Sequence, residues 1–101
     1  MKVNSIRHMV IFSLKYDKGA PETEKFLKDS QSILSVIAGV EKFEMLKEIS
    51  PRNEYDFGFS MEFSDKTTYD NYSMNPNHLK FVHERWLEEV VSFLEIDFEN
   101  L

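Results

Sequence analysis

The segment Ile6–Leu14, IRHMVIFSL, carries apolar side chains on both faces of the strand that its composition predicts. β-Branched and aromatic residues dominate it, and alternation places Val10 and Phe12 on one face and Met9 and Ile11 on the other. A strand that is apolar on both faces lies in the middle of a sheet and is covered from both sides. Because a chain of 101 residues has room for only one such core, the sequence predicts a single domain.

The segments that follow this strand are separated by turns containing glycine, proline or asparagine. Residues 20–39 predict an amphipathic helix, with Pro21 near its start and Gly39 as its stop. Residues 40–49 predict a strand with one exposed face. The segment FGFSMEF, at 57–63, alternates cleanly between large apolar and small or polar residues, which predicts a further strand.

The second half of the chain predicts a broken helix and then a strand. A helix capped by Ser64 or Asp65 ends before Pro76, because the residue that precedes a proline avoids the helical region. Asn77 is the predicted cap of the next helix, and SFLEIDFEN, at 92–100, closes the chain as a strand. The apolar residues that share a face are Leu79, Val82 and Trp86 in the helix, and Leu94, Ile96 and Phe98 in the strand.

The resulting order, β-α-β-β-α-β, predicts an α+β, ferredoxin-like fold with a four-stranded antiparallel sheet. Both helical units then lie on one face of the sheet, and the other face, which carries Met9 and Ile11, has no cover from the same chain. An exposed apolar face of this kind predicts a partner, and the simplest partner is the sheet of a second copy. We therefore expect a homodimer.

The composition excludes several classes of function. Twelve basic and eighteen acidic residues give a net charge of -6 with no basic run, so we expect no binding to nucleic acid or to anionic membranes. No apolar stretch reaches about 18 residues, and the apolar run near the start is short, so we expect a cytoplasmic protein. The absence of cysteine excludes disulfides, a thiolate nucleophile and any cysteine-based metal site.

The histidines of the last helix do not predict a metal site. His78 and His83 are separated by about 140° around a helix, so they cannot hold one ion. The segment HERWL begins like a zinc-peptidase helix, but it has Leu87 where the second histidine must be. We place His83, Glu84 and Arg85 on a solvated face and expect neither a metal nor a cofactor.

Four segments together resemble the stress-responsive A/B barrel (Dabb) domain of the dimeric α+β-barrel superfamily: IRHMVIFSLK, FGFSMEF, YDNYSMNPNHLKFV and IDF. The resemblance covers nearly all of residues 1–101, and its most specific parts are His8, Tyr72, Pro76 and His78. It implies a homodimer whose two sheets face each other to form a barrel. It also implies a pocket between each sheet and its own helices.

The enzymes of this family that the sequence resembles are plant polyketide cyclases, which perform an aldol condensation with a tyrosine and a histidine and without a metal. The resemblance implies that Tyr72 and His78 match that pair, and that His8 matches a pocket histidine of the first strand. The chain departs from the cyclases at Phe57 and at Asn75, where they carry histidines. Both differences make the implied pocket less polar.

Three functions remain open on this basis. In the first, His78 is a base and Tyr72 a proton donor in a cofactor-free cyclase or isomerase-like lyase that acts on a small carbonyl compound. In the second, the domain binds a small apolar ligand, or forms a structural dimer, without turnover. The third, a monooxygenase of the same superfamily, rests on fold analogy. The residues expected to contact the ligand are His8, Val10, Phe12, Phe57 and Phe59.

Each polar candidate also has a purely structural interpretation. His8, among apolar residues, could be a core histidine held by one hydrogen bond. Tyr72 is three residues from Tyr69, and two such rings often cover the edge of a core. His78 follows Pro76 at a helix break, where capping is common. Convergence of the three candidates in one cavity is the arrangement that distinguishes a site from these interpretations.

Overall fold

The computed structural model describes residues 3–101 and has the predicted order of elements. The first half contains β1 (Ile6–Leu14), α1 (Pro21–Leu34), β2 (Glu41–Lys47) and β3 (Phe57–Phe63). The second helical unit consists of α2 (Lys66–Met74), α3 (Pro76–Phe81), a π-helical turn (Val82–Trp86) and α4 (Leu87–Glu89). The last strand is β4 (Val90–Glu99). No helix among these residues is long and apolar enough to span a membrane.

The four strands form one antiparallel sheet in the order β2-β3-β1-β4, which confirms the ferredoxin-like fold. β1 lies between β3 and β4, as its two apolar faces predict. Val10, in the middle of β1, is opposite Phe59 of β3 on one side and Glu95 of β4 on the other. This register decides which residues of β4 share a face with the inward side chains of β1.

The core between the sheet and the helices consists largely of aromatic rings. The ring centroid of Phe12 lies 4.7 Å from that of Phe59 and 4.9 Å from that of Trp86. Phe26 of α1 reaches the same cluster, with its centroid 6.0 Å from that of Phe12. Phe12 and Phe26 are fully buried. Tilted and edge-on ring pairs at these distances add about 0.5–1.5 kcal/mol each to the stabilisation from apolar burial.

The opposite face of the sheet is apolar along the middle of β1 and β4, is polar at Glu62 of β3, and is not covered within residues 3–101. Met9 and Ile11 project from its middle, and β4 adds Leu94 beside Ile11 and Ile96 beside Met9. Leu94 is 47% exposed in the single chain, and Phe98 is 49% exposed. The pattern agrees with the two-sided apolar character that the sequence of β1 predicts.

Two helix boundaries differ from those predicted. α1 ends at Leu34 rather than at Gly39, which lies in the following turn with a φ of 91°. A Cβ atom on residue 39 would lie 2.5 Å from the Thr68 methyl group, so this turn requires glycine.

The predicted cap at Asn77 is also wrong. The Asn75 side chain accepts the backbone N–H of Asn77 at 2.8 Å, and Pro76 occupies the first turn, where its missing N–H costs nothing. Asp65 caps α2, as predicted, by accepting the Thr68 N–H.

The π-helical turn changes which residues of the last helix face the core. Phe81 and Trp86 are five positions apart and are both buried, whereas the predicted core residue Leu79 is 48% exposed. The wider turn contains one more residue than an α-helical turn, and the Leu87 N–H donates to the Val82 carbonyl. Regular helical spacing therefore predicts the core positions of Val82 and Trp86 correctly, but it places Leu79 in the core instead of Phe81.

Arg85, in this turn, does not lie on a solvated face as predicted. Its guanidinium donates to Asp29 of α1 at 2.7 Å and to Glu89 at 2.5 Å, and it lies over the Phe26 ring. The side chain is 24% exposed. His83 and Glu84 are exposed, as expected. Arg85 thus ties the π-helical turn to α1.

Candidate functional site

A cavity of about 240 Å³ lies between the sheet and the second helical unit. Its walls are mainly apolar, with Val10, Phe59 and Met61 from the sheet and Phe81, Val82 and Trp86 from the helices. Four polar side chains also line it: His8, Tyr72, His78 and Glu95. An apolar cavity with a few convergent polar groups is the usual form of a small-molecule site.

The structure brings the three polar residues selected from the sequence to this cavity. The ring centroids of Tyr72 and His78 are 4.5 Å apart, and those of His8 and Tyr72 are 6.4 Å apart. Tyr72 lies in the last part of α2 and His78 in the first turn of α3, so the break at Asn75 turns the two rings toward each other. The capped break is therefore what joins the pair.

His78 is held in one tautomer. Its Nδ1 is 3.1 Å from the backbone carbonyl oxygen of Ser73, which can only accept, so Nδ1 carries the proton and donates. Nε2 then has a free lone pair. Burial lowers the pKa of His78 below its ordinary value of 6.5, while the Ser73 carbonyl and the charge of Glu95 oppose that change. At neutral pH the ring is uncharged and can take up a proton.

Tyr72 can donate a hydrogen bond into the same cavity. The residue is 3% exposed, and its hydroxyl, which has no hydrogen-bond partner within residues 3–101, is accessible from the cavity. Burial raises the pKa of Tyr72, and the negative charge of Glu95 raises it further. The hydroxyl therefore keeps its proton and can donate it in a hydrogen bond to a ligand.

His8 belongs to a second polar group, which the sequence analysis did not identify. Its Nδ1 donates to the Asp97 carboxylate at 2.6 Å, and the Tyr69 hydroxyl donates to both carboxylate oxygens, at 3.1 and 3.0 Å. Burial and the hydrogen bond to Asp97 raise the pKa of Tyr69. This group fixes the ring of His8, which has its Nε2 free, at the side of the cavity.

The ligand contacts expected from the sequence are only partly placed at the cavity. His8, Val10 and Phe59 line it, but Phe12 and Phe57 do not. Phe12 lies beneath, at the centre of the core, and Phe57 packs against it with a centroid distance of 5.9 Å. These two rings support the cavity from the core instead of contacting its contents.

Glu95 and Asp97 were missed because only the apolar residues of the last strand were considered. Leu94, Ile96 and Phe98 share the open face of the sheet, so alternation places Phe93, Glu95 and Asp97 on the face toward the helices. The signal was present in the sequence, although the β1–β4 register was needed to place these residues beside His8 and Val10. Within residues 3–101, no group of three or more histidines and carboxylates is arranged to hold a metal ion.

Comparison with known proteins shows the family and the fold of this chain. Residues 6–100 match the family described as the Stress Responsive A/B Barrel Domain. A Dabb family protein of ferredoxin-like fold from Mesorhizobium loti is 49% identical, with a TM-score of 0.95 over 96% of this chain and 97% of that chain. No curated protein matches the chain.

Two enzymes share the fold at low identity. The hydroxynitrile lyase of Passiflora edulis is 11% identical, with a TM-score of 0.84 over 99% of this chain and 96% of that chain. SnoaB, a cofactor-independent oxygenase from Streptomyces nogalater, is 10% identical, with a TM-score of 0.73 over 96% of this chain and 93% of that chain. Further structural neighbours, from Bacteroides fragilis, Thermobifida fusca and Jannaschia, are dimeric ferredoxin-like proteins. These similarities show the fold alone.

Proposed function

Because this chain belongs to the stress responsive A/B barrel domain family, we propose that its cavity binds a small carbonyl compound and transfers a proton on the carbon beside the carbonyl without a cofactor. The observation that carries the proposal is the pairing of Tyr72 with His78. The hydroxyl of a largely buried tyrosine, accessible from the cavity and without a partner within residues 3–101, and an uncharged imidazole face one cavity, with their ring centroids 4.5 Å apart.

His78 is the proposed base. Its Nε2 lone pair takes the proton from the carbon, while Nδ1 remains bonded to the Ser73 carbonyl. The lowered pKa of His78 keeps Nε2 unprotonated at neutral pH. When the proton returns to a different carbon of the ligand, the step is an isomerisation. In a ring closure, the enolate carbon instead attacks a second carbonyl of the same ligand, and His78 returns the proton to the resulting alkoxide oxygen. Neither step needs another reactant.

Tyr72 is the proposed hydrogen-bond donor to the carbonyl oxygen. Negative charge develops on that oxygen as the carbon loses its proton, and a buried donor stabilises it more strongly than water does. The raised pKa of Tyr72 keeps the hydroxyl protonated throughout. The apolar walls, which include Phe59, Met61 and Trp86, exclude water and hold the carbon skeleton of the ligand.

The size of the cavity restricts the ligand. A volume of about 240 Å³ lies just below the roughly 300–1,000 Å³ typical of drug-sized sites. The proposed ligand is therefore one ring or a short chain. Binding of such a molecule without turnover is the alternative, and the apolar walls favour it as strongly as they favour catalysis.

Proton transfer beside a carbonyl can be tested without knowledge of the physiological ligand. Small ketones such as cyclohexanone and acetophenone are incubated with the protein in D₂O, and deuterium uptake beside the carbonyl is followed by NMR. We expect a rate above that of buffer, which is lost in His78→Gln and Tyr72→Phe and kept in His83→Ala, whose histidine is exposed on the same helical unit. A rate equal to that of buffer with every ketone would leave ligand binding without turnover as the function.

We also propose that the protein is a homodimer joined through its open sheet face. Met9 and Ile11 in the centre, with Leu94 and Phe98 beside them, form an apolar surface that no other element of residues 3–101 covers. Pairing with the same face of a second copy would bury these residues and leave the cavity, which lies on the other side of the sheet, unobstructed. The dimeric state of related folds is consistent with this arrangement.

A further inference from the structure

We propose that Glu95 makes the cavity select its ligands by charge. The cavity accepts molecules that bear an amine or a hydroxyl group, and it rejects carboxylates and phosphates. This inference rests on the proposed function only in taking the cavity as the ligand site. It goes further by assigning the substrate class, a small carbonyl compound that also bears a hydrogen-bond donor.

Glu95 lies at the solvent-exposed rim of the cavity. It is opposite Val10 in the β1–β4 register and lines the cavity from the edge strand of the sheet. Its neighbour on the same face, Asp97, is occupied by His8 and Tyr69. Among the hydrogen bonds and ion pairs within residues 3–101, the Glu95 carboxylate has no partner. It is therefore free to bond with a ligand.

The cavity offers no counterion to an anion. No lysine or arginine is among the residues that line it. His78 does not fill that role, since its lowered pKa keeps the ring neutral. His8 is already paired with the Asp97 carboxylate, so the two together carry no net positive charge. An anionic group would give up its water for an apolar cavity with Glu95 beside it, which is costly in free energy.

The cavity is favourable for a cation or for a neutral hydrogen-bond donor. The carboxylate of Glu95 accepts its hydrogen bonds, and the aromatic rings near it favour positive charge through their electron-rich faces. Trp86 and Phe93 both line the cavity, with their ring centroids 5.6 Å apart and the planes at 79° to each other. An ammonium group between these rings and Glu95 would be stabilised by both.

The second polar group of the site fixes the other end of the ligand. Tyr72 is 3% exposed, and its hydroxyl has no partner within the described residues, so it can donate to a carbonyl oxygen. A ligand that satisfies both ends accepts a hydrogen bond from Tyr72 and donates one to Glu95. Amino ketones and hydroxy ketones meet both requirements, whereas keto acids do not.

Three probes of the same shape test the charge preference: benzylamine, benzyl alcohol and benzoate. Their dissociation constants are measured by ligand-observed NMR with the full-length wild-type chain and with Glu95→Gln. For the wild type, we expect the amine and the alcohol to bind at least about tenfold more tightly than benzoate. In Glu95→Gln the amine should lose about tenfold in affinity, the alcohol should change by less than about twofold, and benzoate should gain.

Glu88→Gln is the matched control. It removes the same charge from an exposed position on α4 that does not line the cavity. The inference is overturned if this control shifts the preference as much as Glu95→Gln does, because the net charge of the chain would then be the cause. It is also overturned if benzoate binds the wild type as tightly as the alcohol, or if neither the amine nor the alcohol binds.

The two proposals fail in different assays. A loss of the expected charge order in the binding experiment removes the role of Glu95 and leaves deuterium exchange by His78 and Tyr72 as it was. An absence of exchange above buffer, with the charge order intact, removes the catalytic proposal and leaves the selectivity of the cavity in place.

Discussion

His8 and Asp97 are 89 positions apart in the chain, yet the Nδ1 of His8 lies 2.6 Å from a carboxylate oxygen of Asp97. The two residues are direct cross-strand neighbours, so the contact follows from the pairing of β1 with β4. The His8 side chain is 8% exposed and that of Asp97 44%. The bond thus anchors a buried imidazole to a carboxylate at the rim of the sheet.

Replacing Asp97 with alanine should release the ring of His8. Without the carboxylate, the Tyr69 hydroxyl, 3.0 Å from the His8 Nδ1, remains beside it and can either accept from that nitrogen or donate to it. We therefore expect a mixture of tautomers in ¹⁵N NMR where the wild type shows one. The free energy of unfolding should fall by about 1–2 kcal/mol, near the lower end of the range for a lost partner, because water can reach this rim. Glu99→Ala, two residues further along the same face, is the control. A single, unchanged His8 tautomer in Asp97→Ala would show that the carboxylate does not orient the ring.

Removing either member of the Tyr72–His78 pair should reduce the rate of deuterium exchange by roughly 10²–10⁴-fold, the usual contribution of one acid or base. Tyr72→Phe removes one oxygen atom, and His78→Gln retains a polar side chain of similar reach, so the fold should survive both. Initial rates over a series of ketone concentrations separate a loss of turnover from a loss of binding. Equal rates in wild type and both variants would contradict the roles assigned to the pair.

The pH dependence of exchange should report His78. The base must be uncharged, so the protein-catalysed rate should fall as pH drops through the pKa of His78, which burial lowers below 6.5. Because burial raises the pKa of Tyr72, the rate should show no alkaline loss below the ordinary tyrosine value of 10.0. An acid limb with its midpoint above 6.5 would exclude His78, with its lowered pKa, as the base.

The same lowered pKa affects folding in a defined direction. Between the pKa of His78 in the folded chain and the ordinary value of 6.5, the unfolded chain binds more protons than the folded one. The free energy of unfolding should therefore rise with pH across that window, and the contribution is lost as pH falls through the lowered pKa. Urea denaturation of wild type and His78→Gln at several pH values isolates the contribution of His78 to the pH dependence of the free energy of unfolding.

Stability and chemistry should depend on different residues. Phe59 is 1% exposed and packs against Phe12 and Phe43, so Phe59→Ala should cost about 3–5 kcal/mol by leaving a cavity. Tyr72→Phe should cost much less, because its hydroxyl opens to the cavity and bonds to no other group of the described chain. Thermal and urea denaturation compare the two. If Tyr72→Phe destabilises the protein as much as Phe59→Ala, Tyr72 is a structural residue.

The oligomeric state should depend on the open sheet face. Light scattering coupled to size exclusion should give about twice the chain mass of 12.0 kDa at micromolar concentration. Ile11→Asp should give an unstable monomer, since a dimer would bury an unpaired charge. Glu88→Gln, at an exposed position of α4 on the helical side of the sheet, is a control that should leave the mass unchanged. A wild-type chain that elutes with the mass of a monomer would contradict the barrel.

The element order and the inner faces of β1 and β3 could be predicted from the sequence, because strand alternation depends only on local chemistry. The capped break after Tyr72 was also predictable, since proline and asparagine have strong positional preferences. The residue that forms the cap could not be predicted, because Asn75 and Asn77 are both good capping residues. Only the position of Pro76 in the first turn decides between them.

Two features of the site depend on geometry that the sequence does not encode locally. The π-helical turn changes the helical period at Val82–Trp86, so Trp86 enters the cavity wall while Arg85 turns toward Asp29. The contact between His8 and Asp97 depends on which strand pairs with β1 and in what register. Both arise from long-range packing, which a reading of successive residues cannot supply.

Successive residues of β1 serve different surfaces. His8 and Val10 line the cavity, while Met9 and Ile11 lie on the face proposed to join two copies. Substitutions can therefore alter ligand preference and self-association one at a time. An insertion or deletion of a single residue within this strand would exchange the two sets and damage both properties together. We expect homologues to differ in the apolar side chains of this segment while keeping its length constant.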